Sequence, residues 1–129
     1  MEPCKSDHAP PPTPKVTMWP LTFYVKSLPP NVGGTANGPV IRILEKYRDD
    51  RGIYEHELKH VKQWFCNLLL VHSVLYLLSS KYRLWAEVSA YKEQLKCYSD
   101  DRSELFASYI SKYYNIKITQ EEALKLLRE

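Results

Sequence analysis

The stretch HELKHVKQW, residues 56–64, decides how the rest of the chain is interpreted. On a helix, residues four apart differ by about 40° in direction and about 6 Å in height, so His56 and His60 project from one face. That separation lets two imidazole nitrogens reach one zinc ion at about 2.0–2.1 Å each. Glu57 is displaced enough to avoid ligating and near enough to take a proton from a water that zinc activates. The spacing predicts a zinc site with a general base; the competing interpretation is an exposed, charged helix.

Two segments of the chain resemble the active-site helices of small zincin-type metallopeptidases. HELKHVKQW resembles the HE-L-x-H-V-x-Q helix of these enzymes, and LWAEVSAYKEQL, residues 84–95, resembles the second helix of the gluzincin group. In that group a glutamate followed three residues later by alanine supplies the third zinc ligand. ImmA/IrrE-like peptidases and small phage- or secretion-associated peptidases share this arrangement. The resemblance implies that His56, His60 and Glu87 are zinc ligands and that Glu57 is the general base.

The position of Glu87 sets a condition on the fold. One straight helix through the apolar run that follows residue 64 would carry the chain about 28 Å past His60. Glu87 would then lie out of reach of the two histidines. We therefore predict that the chain turns near Cys66 and Asn67, where an amphipathic pattern gives way to an apolar one.

Other residues compete for roles near the metal. The alternative third ligands, which we favour less than Glu87, are Asp100, Asp101 and Glu104. His72 lies inside an apolar run, where a core histidine is the more typical role. Tyr91, one turn after Glu87, is a candidate to hydrogen-bond a developing oxyanion, with plain packing as the alternative. Gln63, one turn past His60, is either a hydrogen-bonding partner of that ligand or an ordinary polar helix position.

The fold class follows from the order of the remaining patterns. LTFYVKSL (Leu21 to Leu28) and PVIRIL (Pro39 to Leu44) are rich in β-formers and predict strands. The glycines between them predict a hairpin or loop, because a phosphate-binding GxxxxGK[ST] pattern is missing. From about Gly52 onward the pattern is helical, including a helix over Lys81 to Tyr98. We predict an α+β, minimal zincin-like domain over residues 20–129, with two or three N-terminal strands followed by four or five helices.

Helix starts are marked in the C-terminal third. Asp100-Asp101 predicts an N-cap for ELFASYISKYY, and Thr119 with Glu122 three residues later predicts a capping box for the last helix.

The N-terminal residues 1–19 hold five of the nine prolines, which predicts an extended, disordered tail. This segment has no apolar core of the kind that signal peptides carry. The three cysteines, Cys4, Cys66 and Cys97, are odd in number and form no CxxC pair, so no disulfide framework is indicated. We therefore expect a cytoplasmic protein.

Charge and hydropathy bear on whether the protein binds nucleic acids or membranes. The net charge is +3 without a long basic block, so no nucleic-acid partner is expected. The most apolar run, FCNLLLVHSVLYLLSS over residues 65–80, is short for a membrane span of about 20 residues. It predicts a buried helix in preference to a membrane-surface segment.

The function expected from the sequence is that of a zinc-dependent peptidase that hydrolyses peptide or protein substrates. In this interpretation Zn²⁺ is the cofactor and an edge of the PVIRIL strand pairs with the substrate. The alternative is a non-catalytic structural or assembly protein, for example one of phage origin, that keeps a zinc-binding zincin scaffold.

Overall fold

The computed structural model describes residues 20–66 and 70–129. The predicted disordered tail over residues 1–19 lies outside the described residues, as does Asn67 in the predicted turn. Within the described part the prediction of fold class is confirmed, because three strands come first and five helices follow.

The three strands form one mixed sheet. They are β1 (Leu21–Val25), β2 (Gly34–Asn37) and β3 (Val40–Leu44), in the spatial order β1-β3-β2. β1 runs parallel to β3, whereas β2 runs antiparallel to it. A tight turn joins β2 to β3, and it contains Gly38 with a φ of 59°, a left-handed conformation that glycine adopts without steric cost.

β3 is the central strand, so both of its edges are already paired. The expectation that PVIRIL presents a free edge is therefore wrong. Of the described strands, β2 is the edge strand that packs beside the first helix. Its sequence, GTAN, lacks large β-formers, which is why the strand pattern did not reveal it.

Five α-helices follow a short 3₁₀ turn over Glu45–Tyr47: α1 (Arg51–Cys66), α2 (Leu70–Leu78), α3 (Ser80–Leu95), α4 (Ser103–Tyr113) and α5 (Gln120–Arg128). α1 packs on the sheet, where Val61 joins the fully buried Ile41 and Ile43 of β3. A second core joins α3, α4 and α5 around Phe106 and Ile110. α1 and α3 pack against each other between these two cores.

α1 ends at Cys66 and α2 begins at Leu70, and the two axes are bent by 115°. This arrangement supplies the change of direction that Glu87 requires. Among the described residues no single helix is long and apolar enough to cross a membrane. α1 and α2 reach that length and hydropathy only as this bent pair.

The ends of the helices match the sequence signals in part. Thr119 and Glu122 form the predicted capping box of α5. The predicted aspartate N-cap of α4 is wrong in detail, because the cap residue is Arg102. Asp101 nevertheless accepts a hydrogen bond from the backbone N–H of Ser103, the first residue of the helix. It therefore satisfies one of the N–H groups left free at a helix start.

The C-terminal end of α2 is bound by the charged side chain of Arg83. The guanidinium of Arg83 donates hydrogen bonds to the carbonyl oxygens of Tyr76 (2.6 Å) and Leu77 (3.3 Å). A third bond, of 3.1 Å, goes to the carbonyl of Asn115. A cation at the carbonyl end of a helix is favourable, so Arg83 fixes α2 against α3.

Candidate metal centre

Three predicted ligands converge between α1 and α3. The Nε2 atoms of His56 and His60 lie 3.2 Å apart. Glu87 presents one carboxylate oxygen to each ring, Oε2 at 3.4 Å from His56 Nε2 and Oε1 at 3.2 Å from His60 Nε2. His56 and Glu87 are buried, and His60 is half-buried. Among the described residues this is the group of histidine, cysteine and acidic side chains with the geometry to hold a metal ion.

The distance between the two histidine nitrogens fits a tetrahedral metal. Zinc bonds of about 2.0–2.1 Å at tetrahedral angles separate neighbouring ligand atoms by about 3.3–3.4 Å. The 3.2 Å between the two histidine nitrogens lies close to that value, and each nitrogen has a different oxygen of Glu87 within 3.2–3.4 Å. Two histidines and one carboxylate are also a common ligand set of catalytic zinc, which keeps its fourth position open.

Gln63 sets the tautomer of His60. Its side-chain amide donates to the backbone carbonyl of Ala86 over 3.1 Å, so its Oε1 is left to face His60 Nδ1 at 3.0 Å. A carbonyl oxygen only accepts, so Nδ1 must carry the proton in this bond. In the neutral ring the lone pair is then on Nε2 and points toward the other two ligands. This is the arrangement that partners of metal-bound histidines impose.

The group contains buried polar atoms that lack hydrogen bonds within the described residues. Oε2 of Glu87 is one, and Nδ1 of His56 is another. The His56 ring is instead held by the edge-on ring of Tyr91, with 4.3 Å between ring centroids. A buried acceptor without a donor is costly, and a cation facing Glu87 Oε2 would remove that cost. The residues present therefore fit a bound zinc ion.

Without a metal, a proton on His60 stabilises the buried carboxylate of Glu87. Burial alone would lower the pKa of His60, but the charge of Glu87 and its hydrogen bond outweigh burial and raise the pKa to about 9. Burial would likewise raise the pKa of Glu87, but the neighbouring His60 holds it well below its ordinary value. The metal-free centre is thus an ion pair between an imidazolium and a carboxylate.

Tyr76 of α2 is a residue of this centre that the sequence did not reveal. Its hydroxyl donates a hydrogen bond of 2.5 Å to Glu87 Oε1. Burial and the charge of Glu87 raise the pKa of Tyr76 far above its ordinary value, so it remains a donor. Because Tyr76 engages Oε1, the oxygen without a hydrogen bond is Oε2. The only sequence signal was a tyrosine one turn after His72 in an apolar run.

Glu57 lies next to the ligands without joining them. Its side chain is buried, and burial raises its pKa. It packs against Gly34 of β2, where an added Cβ would lie 3.2 Å from Glu57 Cγ and 3.3 Å from Oε1. Gly34 therefore leaves the space that Glu57 occupies beside the edge strand.

The remaining candidates have other partners than the three predicted ligand atoms. The hydroxyls of Tyr91 and Tyr114 share a hydrogen bond of 2.6 Å, so the contacts of Tyr91 are those of a packing residue, and its oxyanion role stays a prediction. His72 bonds to the Tyr82 hydroxyl through Nδ1 at 2.6 Å. The alternative third ligands are exposed, and none belongs to the cluster: Asp100, Asp101 and Glu104.

The centre opens into a cleft of about 1550 Å³. His56, Glu57, His60 and Glu87 line it, together with β2 and with Tyr76 and Leu77 of α2. The ligands are therefore accessible to a molecule in the cleft even though their side chains are largely buried.

Comparison with protein-family models, with curated proteins and with solved structures finds no match for this chain.

Proposed function

We propose that this chain is a zinc-dependent peptidase, with His56, His60 and Glu87 as the zinc ligands. The observation that carries the proposal is the convergence of these three side chains, whose ligand atoms lie within 4.8 Å of one another, with the buried carboxylate of Glu57 beside them. The resemblance of residues 56–64 and 84–95 to zincin-type metallopeptidases supports the same assignment.

The roles of the side chains follow from their positions. When bound, zinc would polarise a peptide carbonyl and lower the pKa of a water molecule. Glu57 then accepts the proton of the attacking water and returns it to the leaving amine. Gln63 holds His60 with its Nε2 lone pair toward the metal, and Tyr76 orients the carboxylate of Glu87.

The edge strand β2 is the surface that we propose for the substrate backbone. Within the described residues β2 pairs only with β3, so its other edge keeps unpaired N–H and C=O groups. It lines the cleft, and Gly34 touches Glu57. An extended peptide pairing with β2 would pass beside Glu57, which favours peptide or protein substrates over small molecules.

The compartment that we propose is the cytoplasm. Cys66 is an exposed free thiol, and exposed thiols persist in a reducing environment.

A peptide library tests the activity. Zinc-loaded protein should cleave at least one library member. A chelator should abolish that cleavage, and Glu57→Gln should reduce it by about 10²-fold or more. If zinc binds with one ion per chain but nothing is cleaved, a non-catalytic zinc-binding scaffold replaces the peptidase. If zinc does not bind, both proposals fail.

A further inference from the structure

Helix α2 exposes aliphatic side chains and buries polar ones. Its inward side carries His72 and Tyr76, which bond to Tyr82 and Glu87. We call its outward side the outer face of α2; it consists of Val71, Val74, Leu75, Leu77 and Leu78, all exposed. Leu77 and Leu78 keep 75% and 82% of their surface exposed. A helix at a water-facing surface has the opposite pattern, so this face indicates a contact with something apolar.

Exposed aromatic residues flank α2. Phe65, in the last turn of α1, is 47% exposed. Trp85 of α3 is 49% exposed, and its ring contacts that of Tyr82. One turn before each lies an exposed lysine on the same side of its helix, Lys62 before Phe65 and Lys81 before Trp85. Aromatic side chains next to lysines are typical of segments that lie at a lipid–water interface.

The sequence on both sides of α2 carries charge of one sign. The sequence from Leu58 to Ala86 contains no aspartate or glutamate. It contains the basic residues Lys59, Lys62, Lys81 and Arg83. An apolar helix whose flanking sequence is basic is complementary to a surface that is apolar inside and negatively charged outside.

We propose that the outer face of α2 docks on the surface of a membrane that contains anionic lipids. Its leucines and valines enter the boundary between headgroups and acyl chains, while Lys62 and Lys81 meet the lipid phosphates. A helix of nine residues is too short to cross a bilayer, so the chain lies on the membrane without spanning it.

A second copy of the chain is a poorer occupant of the same face. A two-fold dimer brings the same patch of both subunits together. Such a dimer would bring the basic sequences that flank α2 in both copies close together, and like charges repel. An anionic lipid surface replaces that repulsion by attraction.

Docking would also orient the cleft. Leu77 belongs to the outer face of α2 and lines the cleft that holds the metal ligands. Resting on the proposed peptidase function, this geometry points to substrates whose cleavable segment lies at a membrane surface. The docking itself does not depend on activity, because it is measured on protein that need not cleave anything.

The test is sedimentation of the full chain with lipid vesicles. Wild type should bind vesicles of phosphatidylcholine with phosphatidylglycerol, and added salt should weaken the binding. Leu77→Ser with Leu78→Ser should lower the partition coefficient by about tenfold per leucine. The control is Phe23→Ser, which removes an apolar side chain that is 51% exposed on β1, away from the outer face of α2.

Reversing the charge of lysines measures the electrostatic part of vesicle binding. Lys62→Glu with Lys81→Glu should reduce binding to the anionic vesicles by about tenfold or more. Lys117→Glu with Lys125→Glu, two exposed lysines near or on α5, should change it little. Binding that responds equally to both pairs would overturn the proposal, because the net charge alone would then explain it.

Two further outcomes also overturn the proposal. Wild type that stays in the supernatant with every vesicle composition does not dock on membranes. If it also sediments as a dimer that Leu77→Ser and Leu78→Ser convert to a monomer, the outer face of α2 binds a second copy of the chain.

Discussion

The hydroxyl of Tyr76 lies 2.5 Å from Oε1 of Glu87 and joins helix α2 to the candidate metal centre. The bond takes one carboxylate oxygen and leaves Oε2 without a hydrogen bond among the described residues. Tyr76 thereby restricts how Glu87 can turn toward His56 and His60. Its contribution is to ligand orientation, so its loss should alter metal affinity more than folding.

Tyr76→Phe removes this hydrogen bond and keeps the ring. Loss of such a partner of a ligand typically lowers metal affinity by about 10–100-fold, and we expect a loss in that range. Competition with a chromophoric zinc chelator measures it. Tyr113→Phe is the matched control, because Tyr113 is half exposed and has no hydrogen bond to the three ligands. Equal affinities of Tyr76→Phe and wild type would show that Tyr76 does not position Glu87.

The ligand assignment predicts which substitutions remove zinc. Purified protein should hold close to one zinc ion per chain, and His56→Ala, His60→Ala and Glu87→Ala should each lose most of it. Two remaining ligands cannot close a tetrahedral site. His72→Ala should retain zinc, because His72 bonds to Tyr82 outside the ligand cluster. Elemental analysis measures the zinc content of the four variants. Unchanged zinc in the first three would refute the proposed site.

Zinc binding should release a proton from His60. In the metal-free protein the pKa of His60 is raised to about 9. The Nδ1–H of its ring is donated to Gln63 Oε1. Zinc must therefore displace the proton on Nε2. We expect close to one proton released at about pH 7 and almost none from His60 at about pH 10. Calorimetric titration in two buffers with different ionisation enthalpies measures this release; equal release at both pH values would contradict the assignment.

The same pKa shift predicts how metal-free stability depends on pH. A histidine whose pKa is higher in the folded than in the unfolded chain stabilises the fold when protonated. For His60 this stabilisation is complete below about pH 6.5 and is lost as the pH rises through about 9. The free energy of unfolding of chelator-treated protein should fall across that range. His60→Gln should remove this part of the pH dependence.

The sequence predicted the three converging side chains better than it predicted their surroundings. Spacing on a helix is local, so His56 and His60 could be paired from the sequence, and Glu87 followed from the resemblance of its helix. The strands β1 and β3 are marked by β-branched and aromatic residues. The capping box of α5 is likewise a signal contained within four residues.

The features that could not be predicted from the sequence depend on tertiary contacts. Tyr76 reaches Glu87 because α2 is bent by 115° from α1, and no local pattern encodes that angle. β2 is a strand because β3 pairs with it, although GTAN has little intrinsic β propensity. The run over residues 65–80 predicted a buried helix, and only the side of α2 with His72 and Tyr76 is turned inward.

Gly34 tests whether the edge strand and Glu57 work together. A Cβ there would lie 3.0 Å from Ile53 Cγ2 and 3.2 Å from Glu57 Cγ. Gly34→Ala should therefore displace Glu57, reducing peptide hydrolysis on the order of tenfold while zinc is retained. Gly33→Ala is the control, because its Cβ would crowd Ile53 and Tyr47 at 3.3 Å but not Glu57. Equal rates of hydrolysis for the two variants would show that the contact between Gly34 and Glu57 does not matter for catalysis.

Glu57 is the general base of the proposed mechanism and is not one of the proposed ligands. A general base that is not a ligand can be replaced by an isosteric amide without disturbing the metal. Glu57→Gln should therefore keep its zinc, while any hydrolysis drops by about 10²-fold or more. Burial raises the pKa of Glu57, so its charged form destabilises the metal-free fold above about pH 4.5, and the amide removes that cost. Glu57→Gln should thus be at least as stable as wild type at about pH 7 in chemical denaturation. A variant that cleaves a library peptide as fast as wild type would exclude Glu57 as the base; lost zinc would instead make Glu57 part of the metal site.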